Sequence, residues 1–307
     1  MRAVALHDDG AVPELTDLPV RDPEAGELLV RVAASSINGF DVAVADGWIR
    51  AFMEYRFPVV LGKDFAGTVE AVGPGVARFA VGDDVFGVVM TPYVGADGGF
   101  AEYVVVGEGY GVARMPKEID PVAAGALGLA GSAASTALDA LSLKAGQTLL
   151  IAGATGGVGA IATQYAAAAG VRVIATARAG EESEFVEDLG AERTVDWSAD
   201  LMGQMQAAAP EGVDAVLHLA DDPNRFVTLL APGGCCASTL MFGPDQHPAA
   251  VSVIADPQER VLDRLAADVA AGRLRVPVTR SYSLAEVPTA LADFRAGSLG
   301  KYAVAVR

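Results

Sequence analysis

Three glycines, Gly153, Gly156 and Gly159, punctuate the run Gly153-Ala154-Thr155-Gly156-Gly157-Val158-Gly159 at intervals of three. Glycine at such positions lets a backbone approach a bulky anion that side chains would hold away. A diphosphate suits such a turn when a helix follows. The helix N-terminus then offers free N–H groups and the positive end of its dipole. The common dinucleotide pattern G-x-G-x-x-G appears with Ala154 in place of its first glycine, and a ligand-free strand-to-helix turn uses glycine in the same way.

The next apolar segment, Arg172 to Thr176, ends in Thr176-Ala177-Arg178, with no carboxylate before Glu181. A site for NAD wants Asp or Glu at that strand end, roughly 20 residues past the turn, to accept from the ribose 2′-hydroxyl. Arg178 instead suits the 2′-phosphate of NADPH through a forked, charge-assisted contact. This predicts NADPH over NADH, the plainer alternative being a solvent-facing Arg on an acidic protein.

Metal chemistry finds little to work with. The three histidines, His7, His218 and His247, are scattered, and the only cysteines are the adjacent pair Cys235-Cys236, read as inert core residues. Tetrahedral zinc needs clustered thiolate, imidazole or carboxylate ligands. No metal is therefore expected.

The elements that must hold these residues fall into two patterns. Up to about Pro116 the chain shows short strands, such as Leu28–Val32, Gly67–Val72, Asp84–Val89 and Ala101–Val106, cornered by glycine turns. That pattern suggests a small, partly open barrel. From Thr148–Ala152 onward, short apolar strands alternate with helical periods. After the glycine turn Val158, Ile161, Ala162, Tyr165, Ala166 and Ala169 share one face. Helices are predicted over Glu181–Leu189 and Ser198–Ala208. Strands are predicted over Arg172–Thr176, Arg193–Asp196, Val213–Leu219 and Cys235–Ser238. Such alternation predicts an α/β domain with a doubly wound parallel sheet. The tail reads as helix Pro257–Ala271, strand Val276–Tyr282, helix Leu284–Phe294 and strand Tyr302–Val306, and periodicity alone does not say which domain it joins.

Composition agrees with two folded domains. The chain has 307 residues, 52% hydrophobic against 20% charged, which excludes intrinsic disorder. With 22 basic and 39 acidic side chains the net charge is −17, so a nucleic-acid partner is not expected. Mean hydropathy is +0.35, but the most apolar run, Val122–Leu143, is mostly Ala and Gly and carries Asp139. It reads as a buried helix pair, not a membrane span. Without an export signal or a disulfide framework, the cytoplasm is the expected compartment.

Taken in order, several segments resemble the medium-chain dehydrogenase/reductase superfamily, and within it the zinc-independent quinone oxidoreductases. They are Ser36-Ile37-Asn38-Gly39-Phe40-Asp41, the run from Phe57 to Gly67 containing Gly62-Lys63-Asp64-Phe65-Ala66-Gly67, Val81 to Gly87, and Gly98-Gly99-Phe100-Ala101-Glu102-Tyr103. Thr136-Ala137, the glycine turn and Gly300-Lys301 complete them. The resemblance implies a GroES-like β-rich catalytic domain from residues 1–117 and 256–307 around a Rossmann NADP-binding domain of residues 118–255, with the active site between them. It also implies a homodimer paired through a last Rossmann strand at Ala250–Ile254. Zinc-using relatives carry Gly-His-Glu where Gly62-Lys63-Asp64 stands, and a protonated lysine cannot ligate a metal.

The activity so implied is hydride transfer from NADPH to a quinone or an α,β-unsaturated carbonyl. Asn38, Lys63 and Tyr55 are then the candidate donors to the acceptor oxygen, where negative charge develops. Asn38 fits a turn-stabilising role equally well, and Lys63-Asp64 fits an internal ion pair. Thr136 and Lys301 match cofactor-contacting residues, with a helix cap and a surface lysine as their plainer roles. Gly153 to Gly159 and Thr176 complete the expected cofactor contacts. The aromatic-rich loop Ala45–Arg56 suits a flat or apolar acceptor. An enoyl or ketone reductase tailoring a biosynthetic intermediate such as a polyketide, and a non-catalytic NADPH sensor, are the alternatives.

Overall fold

The computed structural model describes residues 1–307. The chain forms two compact units, Met1–Leu129 together with Pro257–Arg307, and Ala130–Asp256.

The first unit is built on β-sheet. A seven-stranded sheet runs Val112–Arg114, Asp84–Val88, Asp64–Val72, Glu27–Ser36, Lys301–Ala305 and Val278–Ser283, with Tyr103–Gly107 also paired to Glu27–Ser36. A smaller sheet sets Glu14–Asp17, Arg2–Leu6 and Val59–Val60 side by side. The apolar faces of these strands meet in a core containing Leu28, Val30, Phe65, Phe100 and Val304, all fully buried or nearly so. The tail returns to this unit: Lys301–Ala305 runs antiparallel to the strand of residues 27–36, with Ala303 opposite Ser36. Chain end and chain start therefore share one hydrogen-bond ladder, which decides the placement that periodicity left open.

Between Ser36 and the strand of residues 64–72 the chain makes a short helix, Gly39–Ala45. Asn-Gly reads locally as a turn. Here Asp41 at the third helical position accepts the Asn38 N–H at 2.8 Å, so the two residues start a helix instead.

The second unit is a six-stranded parallel sheet in the order Arg193–Val195, Arg172–Thr176, Thr148–Ala152, Val213–His218, Leu230–Ser238, Ala250–Ser252. The strand Thr148–Ala152 is buried on both faces, as expected of a central parallel strand, and the helix Gly157–Ala168 follows it. Strand order reverses on either side of it. Ligands of such sheets bind beyond the strand C-termini at that switch point.

Several boundaries differ from the sequence reading. The helix expected from Ser198 starts at Leu201, where Asp200 caps it by accepting the Gly203 N–H. The last strand stops at Ser252. The apolar run near 122–143 is indeed two helices, Pro121–Ala124 and Gly128–Leu141, and no helix is long and apolar enough to cross a membrane. Pro121–Ala124 packs on the strands of residues 27–36 and 64–72, so the first unit runs past Pro116, where the sequence pattern changes, to Leu129.

Candidate functional site

In the second unit the turn after Ala152 is shaped by backbone contacts. Gly153 has φ +88°, a region side chains avoid, and a Cβ there would lie 3.0 Å from Ala220 Cβ. A Cβ on Gly159 would lie 2.4 Å from the Gly153 carbonyl oxygen, so glycine there lets the helix sit tightly against the turn. Gly156 differs: a Cβ on it would meet nothing closer than Gly153 O at 3.6 Å. Two glycines thus serve packing and the middle one faces open space. Ala154 is buried and has no positive φ, which explains why the first glycine of the common pattern is dispensable. This cradle fits a dinucleotide diphosphate, with the first N–H groups of the helix, from Gly157, Val158 and Gly159, beside Thr155 and the open side of Gly156.

Neighbouring strand ends support the turn. Thr176 is buried and its Oγ1 accepts the Gly153 N–H at 2.9 Å. It therefore holds the cradle from behind. Arg178 is exposed and donates through Nε and Nη2 to Glu182 Oε1, while its backbone N–H goes to Glu182 Oε2 at 2.8 Å. Thr136 Oγ1 donates to Ser132 O at 2.9 Å and accepts the Asp256 N–H at 3.3 Å, tying the end of this unit to its first helix.

One supporting residue escaped the sequence reading. His218 ends the strand beside the cradle, fully buried, with Nδ1 2.8 Å from Ser238 Oγ and Nε2 3.0 Å from Asp221 O. It links the end of the strand Leu230–Ser238 to the loop holding Asp221, a non-glycine residue with positive φ. The available signal was a polar residue closing an apolar strand just before a loop at the switch point.

The first unit holds a buried polar cluster. Asp64 is fully buried and accepts from Ser36 Oγ at 2.6 Å, Asn38 Nδ2 at 2.8 Å and the Leu129 N–H at 2.7 Å. Lys301 is 3% exposed and its Nζ reaches Asn38 Oδ1 at 2.6 Å, Ile37 O at 3.2 Å and Asp64 Oδ2 at 3.5 Å. Two expectations change here. The ion-pair partner of Asp64 is Lys301, not Lys63, because successive side chains on an extended chain point to opposite faces. Lys301 is buried, not a surface lysine, and its Nζ has three oxygen partners inside this unit.

Asn38 also departs from expectation. Its second amide hydrogen goes to Ser36 O at 3.2 Å, so every polar group of its side chain is engaged inside the cluster. Its geometry is that of a positioning residue. Tyr55 donates its hydroxyl to Val44 O at 3.0 Å, and the Arg50 guanidinium lies over its ring. Trp48 and Phe52 of the aromatic loop are largely exposed.

Lys63 is the remaining candidate donor. It lines a narrow recess with Phe40, Asp41, Val44, Val89 and Thr91. Its Nζ donates to Val89 O at 2.6 Å and lies 4.7 Å from the Phe40 ring centre. An ammonium carries three hydrogens and that bond uses one. Burial draws the Lys63 pKa down to about 8, against the pull of the Asp41 charge. Asp41 accepts the Lys63 N–H at 3.0 Å, and burial pushes its own carboxyl up to about 7. The recess thus holds an ammonium that gives up its proton readily.

No group of three or more His, Cys, Asp or Glu side chains is placed to hold a metal ion. Lys63, where zinc-using relatives carry histidine, has its nitrogen on a carbonyl oxygen. The residues present do not fit zinc.

Comparison with known proteins places these features in context. Residues 24–117 match the alcohol dehydrogenase GroES-like domain, and residues 157–261 match the zinc-binding dehydrogenase domain. A chloroplast envelope quinone oxidoreductase homolog of Arabidopsis thaliana is 36% identical over 68% of this chain, and the matched stretch spans 64% of that protein. The quinone oxidoreductase of Lama guanicoe is 32% identical over 76% of this chain and 71% of its own. Mycobacterial Rv1454c, solved in complex with NADPH, superposes with a TM-score of 0.86 at 26% identity, over 99% of both chains.

Proposed function

The chain belongs to the medium-chain dehydrogenase/reductase superfamily, among its quinone oxidoreductase-like members, and on that premise we propose that it transfers a hydride from NADPH to a quinone or an α,β-unsaturated carbonyl. The observation that carries this reading is the glycine cradle at the switch point, closed at Gly153 and Gly159 and open at Gly156. The printed names of the relatives and the NADPH complex of Rv1454c support the choice of cofactor and acceptor class.

When bound, NADPH supplies the hydride. The chain's own residues have three tasks. The cradle from Gly153 to Gly159 orients the diphosphate, with Thr176 holding the turn. Arg178 is the residue for a 2′-phosphate. Lys63 donates to the acceptor oxygen as charge builds there, a role for a preorganised cation in a low-dielectric site. Asn38, Asp64 and Lys301 hold the start of the short helix Gly39–Ala45, which carries Phe40 and Asp41, in place. A second copy pairing along the open edge of the strand Ala250–Ser252 would form the homodimer.

The test is NADPH oxidation, followed by absorbance, against a panel of 1,4-quinones, enones and enoyl thioesters, with NADH in parallel. Turnover of quinones or enones with NADPH is expected. Saturable NADPH binding with no turnover on any acceptor would replace this reading with a nucleotide sensor, and turnover confined to enoyl thioesters with a biosynthetic tailoring reductase.

A further inference from the structure

We propose that Glu182 sets how strongly this protein discriminates NADPH from NADH, by occupying the Arg178 guanidinium that a 2′-phosphate would bind. The inference rests on the dinucleotide reading above and deepens it. Arg178 is the only cation in the segment that joins the strand Arg172–Thr176 to the helix Glu181–Asp188, and that strand end is stitched to the cradle through Thr176 and Gly153. Its position is therefore that of a 2′-phosphate ligand. Its hydrogen bonds are another matter.

Glu182 takes Arg178 on two sides. Its Oε1 accepts Nε at 2.9 Å and also Nη2, filling one edge of the guanidinium, and its Oε2 accepts the Arg178 backbone N–H. The backbone bond fixes the carboxylate independently of the arginine side chain, so Glu182 stays in place when the guanidinium swings. Its side chain is 21% exposed against 63% for Arg178, so the carboxylate is the better-anchored partner. The contact with Arg178 holds the Glu182 carboxyl below its ordinary range despite the burial that opposes it. Asp196 adds a second negative charge that acts on both. Its own carboxylate is tied to Ser198 through backbone and hydroxyl.

One guanidinium is thus paired with one carboxylate and feels the charge of a second, a local sum of −1. A 2′-phosphate carries close to two negative charges at neutral pH. To fork onto the Nε/Nη2 edge of Arg178 it must displace Glu182; on the Nη1/Nη2 edge it meets a guanidinium whose charge Glu182 already neutralises. The 2′-hydroxyl of NADH meets neither obstacle. Glu182 therefore weakens NADPH while leaving NADH nearly untouched, and narrows the selectivity that Arg178 alone would give.

Calorimetric titration of NADPH and NADH onto the wild type, Glu182→Gln, Arg178→Ala and the double variant Arg178→Ala/Glu182→Gln tests this. Gln keeps the length of the side chain and one acceptor for the Arg178 N–H but removes the charge. Glu182→Gln is expected to tighten NADPH about tenfold, consistent with removing one unit charge beside a dianion, and to leave NADH within about twofold. The double variant should lose that gain. An unchanged NADPH-to-NADH ratio in Glu182→Gln overturns the proposal while the cofactor reading stands. A gain just as large when Glu182→Gln is made in the Arg178→Ala background also overturns it, because charge repulsion alone would then account for it. Wild type that binds neither nucleotide overturns both.

Discussion

Thr176 Oγ1 takes the Gly153 N–H at 2.9 Å, so the end of one parallel strand fixes the turn at the end of its neighbour. Gly153 sits at φ +88° with its N–H directed away from solvent onto a buried hydroxyl. Valine at position 176 keeps the shape and removes the acceptor, leaving a partly buried N–H unpaired at a cost of about 1 kcal/mol. Thr176→Val should lower Tm and weaken NADPH several-fold in a calorimetric titration, and Thr176→Ser should restore both. Equal affinity in the valine variant would mean the turn holds its shape without this bond.

The cradle glycines separate folding from binding. Alanine at 159 drives a Cβ to 2.4 Å from Gly153 O, so the helix must move off the turn. That overpacking costs about 1–3 kcal/mol and should appear as a lower Tm together with lost NADPH affinity. Alanine at 156 meets open space at an ordinary φ of −75°, so stability should stay within about 0.5 kcal/mol. Its methyl group would stand where the diphosphate must approach, and NADPH affinity should fall at least about tenfold. Unchanged affinity in Gly156→Ala would remove the cradle from the binding site.

The parts of this structure legible in the sequence are those whose causes are local. The alternation of strand and helix from Thr148 onward, the three glycines and the helix after them follow from periodicity and turn chemistry within a few dozen residues. The polar cluster of the first unit could not be read this way. Ser36, Asp64 and Lys301 meet only because the chain end pairs with the strand of residues 27–36, and no spacing in the sequence encodes a contact between positions 237 residues apart. Lys63 and Asp64 illustrate the error this produces. Opposite charges side by side suggest a pair, yet the backbone sends them to opposite faces, one to the recess and one to the interior. Asn38 was legible as a residue that matters and illegible as to how, because its amide partners come from three separate segments.

Lys301 gives a direct test of that correction. Removing its charge strands Asp64 in the interior with only neutral donors, and breaking a buried pair from one side costs about 3–5 kcal/mol. Lys301→Met should therefore unfold at markedly lower temperature or denaturant concentration. The double variant Lys301→Met/Asp64→Asn should recover part of the loss, because no unpaired charge is left behind. NADPH affinity of folded Lys301→Met, measured well below its Tm, should remain within about twofold of wild type. A large loss of affinity with unchanged stability would return Lys301 to the cofactor.

Lys63 should impose an alkaline limit on turnover. Its burial places the pKa at about 8, below the ordinary lysine value, and the role proposed for it requires the ammonium. The protonated form dominates below about pH 8 and is lost above it, so kcat should fall as pH rises through that value. Lys63→Met removes the donor and should lower kcat about 100-fold or more at pH 7, the range found for a positioned proton or hydrogen-bond donor. The fall on the alkaline side should vanish with it. Lys63→Arg keeps a cation that does not titrate in this range, so any remaining activity should lose its alkaline limb while NADPH affinity is unchanged. Asp41 works in the opposite sense. Its carboxyl, pushed up to about 7, ionises as pH rises through neutrality and then favours the ammonium beside it. Asp41→Asn, if it folds, should therefore move the Lys63 limb to lower pH, and a limb that stays fixed in both Lys63→Met and Asp41→Asn would assign the titration to another group.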